Sequence, residues 1–338
     1  MPFNIYAMTK KKRLTNRQFR RFFKEFKILM KNYGELSEKN PTDWKRYERE
    51  YADRIKYVAK ELNGLAKSAI DLVHVNTSSL GRPAKLSLQQ KVVALLLKSI
   101  FEEHNRPMAG LMSLFGAFCG IDICYKTIER LYSDELVRVV VHNMFVLSVK
   151  RRCDNRVDVS GDGTGYSLTV TKHYRTQIDK EGYRKFVYSF NLIDIKTGLY
   201  ICYGSGIRSE KEAFENAIKM LRRIEREAGI TVGTARLDRY YSYQSTLKYF
   251  DDETVLYILP KSNTKINGPP RWGRIFKRLI ADPLQYLMEY YKRENSESNF
   301  SADKRAFGWK VWQKLDERID TAIGCIAVLH NLFRMGYG

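Results

Sequence analysis

Up to about Val149 the apolar positions of this chain recur every third or fourth residue, and from Arg156 onward they alternate. The first period predicts helices and the second predicts strands, since side chains return to one face every ~3.6 residues on a helix and every second residue on a strand. Phe19, Phe22, Phe23, Phe26, Leu29, Met30 and Tyr33 make one stripe. Tyr47, Tyr51, Ile55, Val58 and Leu62 make a second, on a helix opened by Pro41. Both stripes read as core packing in preference to direct base stacking. Ser87 with Gln90 forms a capping box ahead of a helix over Val92–Ile100. Pro107–Phe118 predicts another helix, Gly120 a turn, and Tyr125-Lys126-Thr127-Ile128-Glu129-Arg130 a short second helix. That succession fits a helix-turn-helix, whose second helix would bring Lys126, Thr127 and Arg130 to a DNA major groove. Ser133-Asp134-Glu135 then starts a long apolar helix, Leu136–Val149.

The alternating part begins with a short strand, Val157–Ser160, ending at Gly161-Asp162-Gly163-Thr164-Gly165. Ser167–His173 and Lys185–Ile195 read as strands, with Lys196-Thr197-Gly198 a hairpin turn into Leu199–Tyr203. Ser209 and Glu212 cap a helix through Glu227, and Thr231–Leu237 is a strand ending at Asp238. Ser242–Phe250 predicts a helix and Val255–Leu259 a strand. From Leu284 to Phe307 no Pro or Gly intervenes, which predicts one continuous helix. The order βββ-α-β-α-β-α is that of an α/β, ribonuclease-H-like domain, a mixed sheet flanked by helices. The reading divides the chain into a basic helical region, 1–65, an all-α region with the helix-turn-helix, 66–150, and the α/β domain, 151–338.

Charge changes the picture from fold to partner. The balance is 59 − 38 = +21, and the first sixty residues hold seventeen Lys and Arg against seven Asp and Glu. Such a field favours a polyanion, nucleic acid first and an acidic membrane surface second. A hydrophobic fraction of 44% with 13% aromatics indicates a folded protein. Cys119, Cys124, Cys153, Cys202 and Cys325 are scattered without a CxxC pair, so they suggest neither a zinc site nor a disulfide framework. They read as reduced, packed residues of an intracellular protein. No apolar run follows Lys10–Arg13, and Gly110–Cys124 is too short to span a bilayer, so a soluble cytoplasmic protein is expected. No GxxxxGK[ST] loop is present, and ATP use is not expected.

The candidate chemistry lies in three acids. Tyr290, Arg293, Glu297 and Lys304 would share about 60° of one helical face, and Asp162 and Asp238 follow neighbouring strands. Open α/β folds build their sites at strand ends. Three converging carboxylates repel unless cations lie among them, and hard oxygen ligands suit Mg²⁺ or Mn²⁺. Two such ions could activate a water or a 3′-hydroxyl at a phosphodiester. Each acid alone has a plainer reading: Asp162 as a turn residue, Asp238 as a helix cap, Glu297 as a surface partner of Arg293. Arg271, Arg274, Lys277 and Arg278 form a basic segment ahead of the long helix that suits phosphate. Trp272, Trp309 and Trp312 read as packing, and none of the five histidines is given a chemical role.

Asp162-Gly163-Thr164-Gly165, Leu237-Asp238-Arg239-Tyr240-Tyr241-Ser242 and Tyr290/Arg293/Glu297/Lys304 resemble the three motifs of DDE transposases of prokaryotic insertion sequences. More narrowly they resemble the insertion-sequence-four type, which carries the YREK signature. The resemblance covers about 155–335, including Ile258-Leu259-Pro260-Lys261-Ser262-Asn263 and Leu329-His330-Asn331-Leu332. It implies that Asp162, Asp238 and Glu297 are a metal-binding catalytic triad, with Tyr290, Arg293 and Lys304 on the phosphates of the element's ends. It further implies cleavage of those ends, joining of the 3′-hydroxyls to target DNA, a homodimer on paired ends, and a place at the prokaryotic nucleoid. Two features depart from the pattern. Tyr240 stands where many members have Gly, and the 58 residues between Asp238 and Glu297 leave no room for a β-rich insertion domain. Two rival readings are a nuclease of the same fold without strand transfer and a catalytically silent, domesticated DNA-binding protein.

Overall fold

The computed structural model describes residues 15–36, 43–73, 85–101, 106–112, 123–168, 186–261 and 263–336. Helix α1 (Asn16–Leu36) buries Phe19, Phe22, Phe23 and Phe26, the first aromatic stripe. Helix α2 (Trp44–Asp71) is started by Asp43, whose side chain accepts the Arg46 N–H. The start therefore lies past Pro41, which falls outside the described residues, and α2 runs unbroken through residues 65 and 66. The capping box of Ser87 and Gln90 opens α3 (Leu88–Ile100) with both of its hydrogen bonds formed. Residues 106–112 are helical, and the turn expected at Gly120 lies outside the described residues. A short α4 (Tyr125–Leu131) follows, and Asp134 caps α5 (Glu135–Arg152), which leads into the sheet.

Among the described residues six strands make one mixed sheet. They are β1 (Arg156–Leu168), β2 (Phe186–Asp194), β3 (Tyr200–Gly206), β4 (Thr231–Leu237), β5 (Val255–Ile258) and β6 (Lys310–Val311). The order is β3-β2-β1-β4-β5, with β6 on the far end of β1. The first three strands run antiparallel, and β4 and β5 lie parallel to β1. The glycines expected to end a short first strand instead lie inside one strand of 13 residues. Their purpose is packing: a Cβ on Gly161 would stand 2.6 Å from Leu192 Cδ2 and 2.7 Å from Phe190 Cζ. Glycine within a strand marks such close approach as readily as a turn.

Helix α6 (Glu210–Ala228) covers that face of the sheet, with Phe214 meeting Phe190 edge-on at 4.9 Å. The other face lies under α8 (Pro283–Tyr291), α9 (Glu294–Phe307) and α10 (Asp316–Met335), and α7 (Pro270–Ala281) flanks β5. The helix expected from Leu284 to Phe307 is thus two helices, jointed at Lys292 and Arg293. Ser242–Phe250 is not an α-helix either. Its place is taken by a 3₁₀ segment, Gln244–Tyr249, tied to the preceding 3₁₀ turn Arg239–Tyr241 where Thr246 Oγ1 donates to the Tyr241 carbonyl at 2.7 Å.

One continuous apolar cluster reaches from Phe19 and Phe26 of α1 through the sheet to Leu332 of α10. Inside it Asn331 bonds the backbone of Tyr200 twice, accepting its N–H at 2.8 Å and donating to its carbonyl at 3.0 Å. His330 stacks on the Tyr200 ring at 3.6 Å, and both side chains bond the buried Asp303.

Helix α6 can lie on β3 only because Gly204 and Gly206 carry no side chain. A Cβ on Gly204 would run into the backbone of Ala213 and Ala217, which has no means of giving way. Gly204→Ala is therefore expected to destabilise the fold by about 1–3 kcal/mol, the usual cost of overpacking, as measured by urea denaturation.

Candidate active site

Register brings the two aspartates together. In the parallel pair of β1 and β4 the last matched residues are Gly161 and Leu237, so the next residue on each strand, Asp162 and Asp238, stands beside the other. Strand β4 stops there because Asp238 turns the chain: its Oδ1 accepts the Tyr240 N–H at 2.6 Å and opens the 3₁₀ turn. Strand β1 continues past the same level, so Asp162 lies within a strand and not beyond the end of one. Its Oδ1 accepts the N–H of Gly163 at 2.8 Å. The cap expected of Asp238 and the neighbourhood of the two acids are both present.

A cation spans the pair. Arg293 places Nη1 3.4 Å from Asp162 Oδ2 and Nη2 3.0 Å from Asp238 Oδ2, with all three side chains largely withdrawn from solvent. Helix α8 delivers it there through two anchors on the sheet. Tyr286 Oη donates to the Ile258 carbonyl and accepts the Ile258 N–H, at 3.0 and 2.9 Å. Arg236 of β4, itself buried, bonds Glu289 through both the carboxylate and the carbonyl, each at 2.6 Å. The chain then tightens, with the Arg293 N–H reaching back to the Tyr290 carbonyl at 3.2 Å. No Pro, Gly or capping side chain marks this joint. The contacts on either side of it set the bend, which lets the guanidinium reach both acids.

The other members of the four-residue pattern do not share one straight face. Tyr290, next to last in α8, is 3% exposed, and burial together with the nearby Asp238 and Asp162 pushes its phenol up, against the lowering effect of Arg293. Glu297 falls in the first turn of α9, just after Arg293. Lys304 lies in the last turn, its Nζ 5.5 Å from the Tyr166 ring and 4.9 Å from the Trp309 ring, and burial lowers its pKa. Tyr166 and Asp162 share a face of β1, so the ring that Lys304 lies over is carried by a residue about 13 Å along the strand from Asp162. Trp309, expected in the core, is 59% exposed. Its exposed ring is where the Lys304 ammonium rests.

A further carboxylate, not foreseen from the sequence, stands against Gly163, the residue after Asp162. Glu210, the first residue of α6, accepts a hydrogen bond from Tyr241 Oη at 2.6 Å and covers Gly163 so closely that a Cβ there would meet its Oε1 at 2.5 Å. Burial, Glu210 and Asp162 together push the Tyr241 phenol far up. The signal available in the sequence was Gly163, since a strand glycine flags something pressed against it. On the outer side of the turn, Lys261 Nζ donates to the Tyr240 carbonyl at 2.8 Å and sits 4.0 Å from the Tyr243 ring.

The remaining expected contacts lie apart from the aspartates. Arg271 is occupied by the fold: its guanidinium donates to the carbonyls of Leu247, Phe250, Asp251 and Thr254 and closes the turn before β5. Arg278 bonds the Leu256 carbonyl at 3.4 Å, whereas Arg274 and Lys277 are exposed. Trp272 is buried and donates to the Lys265 carbonyl. Lys126 and Arg130 are exposed on α4, whose Ile128 packs in a separate small cluster with Leu86, Met108 and Ile123.

Carboxylate oxygens on adjacent strands, with a backbone turn beside them, are donors that could hold a hard divalent cation. Arg293 supports the fit, because its guanidinium stands in for positive charge between the two acids. Among the described side chains no group of three His, Cys, Asp or Glu closes into a complete metal site. No helix among the described residues is long and apolar enough to cross a membrane.

Over 300 residues the chain is 41% identical to a protein of Archaeoglobus fulgidus named "Probable transposase for insertion sequence element ISA1214", a match covering 88% of this chain and 89% of the relative. No protein-family model matches the chain.

The Tyr241–Glu210 bond gives a direct check on this corner of the site. Tyr241→Phe keeps the ring against Phe190 and Phe214 but removes the donor to a carboxylate. A loss of about 1.5–3 kcal/mol is expected, the range for a hydrogen bond to a charged group, read from the shift in the denaturant midpoint.

Proposed function

The chain belongs to the transposases of insertion-sequence elements, and from that premise we propose that Asp162, Asp238 and Glu297 are the catalytic carboxylates of a metal-dependent DNA strand transferase. The observation that carries this reading is the side-by-side placement of Asp162 and Asp238 around one shared cation. Ordinary surface acids have no reason to be held this way. Two like charges on adjoining strands are costly unless positive charge lies between them. The reading takes the narrower resemblance, the insertion-sequence-four type with its YREK pattern and ribonuclease-H-like sheet, as its working frame.

Asp162 and Asp238 would hold Mg²⁺ or Mn²⁺, two ions in all, with Glu297 completing the set from the first turn of α9. Such ions, when bound, supply Lewis-acid activation of a water or 3′-hydroxyl and neutralise charge on the scissile phosphate. The protein's own part is positioning. Register fixes the two aspartates, the Asp238 turn fixes one carboxylate oxygen, and the α8–α9 joint aims Arg293 at both acids. Arg293, released from the aspartates, would bind a phosphate of the element's end through its planar fork. Lys304 and the phenol of Tyr290 would hold the strand on either side. The reaction is hydrolysis at the ends of the element followed by attack of the freed 3′-hydroxyl on target DNA. Duplex DNA is the partner throughout, with two copies of the chain on paired ends.

Asp162→Asn, Asp238→Asn and Glu297→Gln are each expected to retain duplex binding while lowering Mg²⁺-dependent cleavage of an element-end oligonucleotide by about a thousandfold or more. Full cleavage by all three variants would falsify the triad. A strand-transfer assay with pre-cleaved ends separates a transposase from a nuclease that cuts without joining.

Arg293 offers a second check that needs no turnover. With DNA absent its guanidinium competes for the space between the two acids. Arg293→Gln should therefore tighten Mn²⁺ binding by roughly tenfold, equivalent to about 1.4 kcal/mol, in calorimetric titration. It should weaken binding to element-end DNA at the same time. Unchanged affinity for Mn²⁺ would show that the guanidinium is no competitor.

A further inference from the structure

Helix α1 has two unlike faces. Its inner face is seated on the elements that build the site. Phe19 meets Phe276 of α7 at 5.1 Å, Tyr33 stacks on Tyr291 of α8 at 5.0 Å, and the Arg239 guanidinium lies 6.0 Å from the Phe23 ring. Asn16 Oδ1 accepts the Ile266 N–H at 3.0 Å. Arg239 directly follows Asp238, and Tyr291 ends the helix that leads to Arg293. The helix is therefore fixed close to the carboxylates.

The outer face carries Arg17, Arg20, Arg21, Lys24, Lys27 and Lys31, all exposed. At about 100° and 1.5 Å per residue these six fall within an arc of roughly 120° along some 21 Å of helix. Glu25 is the one exposed acid among the described side chains of that helix.

Helix α2 supplies an internal comparison. It is also rich in Lys and Arg, but Glu48, Glu50 and Asp53 are interleaved among them, and Arg46–Glu50 and Lys56–Asp53 form ion pairs on its surface. That is how a solvated charged helix ordinarily limits its own repulsion. The α1 row is interrupted less often: Glu25 and Glu35 stand among six cations there, against Glu48, Glu50, Asp53, Glu61 and Asp71 among seven in α2. A row of cations along one helix face offers a line of positive charge to a phosphate backbone, whose strands each carry one negative charge per ~3.4 Å of duplex axis.

We propose that the outer face of α1 is a phosphate-backbone track that guides duplex DNA to the Asp162 and Asp238 site. The proposal rests on the transposase reading and adds where the duplex runs. Contacts of this type fix register and orientation without reading bases, so the track binds duplexes of any sequence. Sequence preference must then come from elsewhere on the protein.

The test compares two quadruple variants of equal charge change: Arg17→Gln, Arg20→Gln, Lys24→Gln and Lys31→Gln on α1, against Lys45→Gln, Lys56→Gln, Lys60→Gln and Lys67→Gln on α2. All eight positions are exposed. Thermal melting verifies that both variants remain folded. Duplex binding is followed by fluorescence anisotropy as salt is raised from about 50 to 300 mM, and the slope of log K against log salt is taken. The α1 variant should lose about 3–4 from that slope, near 0.9 for each phosphate contact removed, and the α2 variant less than about 1. Equal losses in the two variants, or an unchanged slope for α1, would overturn the track while leaving the transposase reading in place. A parent protein that binds no duplex at low salt would overturn both.

Discussion

Two carboxylates on adjacent strands cannot be left alone together, and much of this molecule's construction follows from that. Asp162 and Asp238 are brought level by the parallel register of β1 and β4, an arrangement the backbone ladder imposes whatever the side chains prefer. Their mutual repulsion is offset by Arg293, which reaches both. The guanidinium in turn has to be aimed, and the aim comes from α8. That helix is held to the sheet by the Tyr286 hydroxyl at the end of β5 and by the buried Arg236–Glu289 pair. The guanidinium is thus the charge that lets the two acids stand side by side.

The helical N-terminal region is joined to this site by apolar packing. The aromatic residues of α1 belong to the same continuous cluster as the sheet and the last helix. A rigid seat of this type makes a basic surface useful, since charges on a loosely tethered segment would attract DNA without directing it. The interior also holds polar groups that satisfy one another, as in Asp303 with His330 and Tyr200. Buried groups connected so completely favour one packing of the core over its alternatives.

Much of this was legible in the chain. The aromatic stripe of α1, the Ser87–Gln90 box, the Ser209 cap and the strand Thr231–Leu237 follow from local rules and are found where those rules place them. The nearness of Asp162 to Asp238 was readable from strand order. What was not legible has tertiary causes. Gly161 and Gly163 look like a turn because glycine serves both turns and crowded strands, and only the presence of Leu192, Phe190 and Glu210 decides between them. The joint between α8 and α9 carries no local mark, because contacts distant in sequence create it. Arg271 looked like a phosphate ligand by composition, yet carbonyls from the preceding loop occupy it. Trp309 looked like core by residue type, yet it is exposed with the Lys304 ammonium over its ring.

The double bond between Asn331 and the Tyr200 backbone has a consequence for how the molecule behaves in company. An amide side chain offers one acceptor and one donor in the spacing of a peptide group, so Asn331 imitates a neighbouring strand at β3, the last strand in the order. An open border of that kind is where foreign chains add themselves and aggregation begins. Asn331 covers this border at Tyr200, and Asn216 of α6 takes the Ser205 carbonyl farther along, so side chains of two helices occupy backbone groups that another strand would otherwise pair.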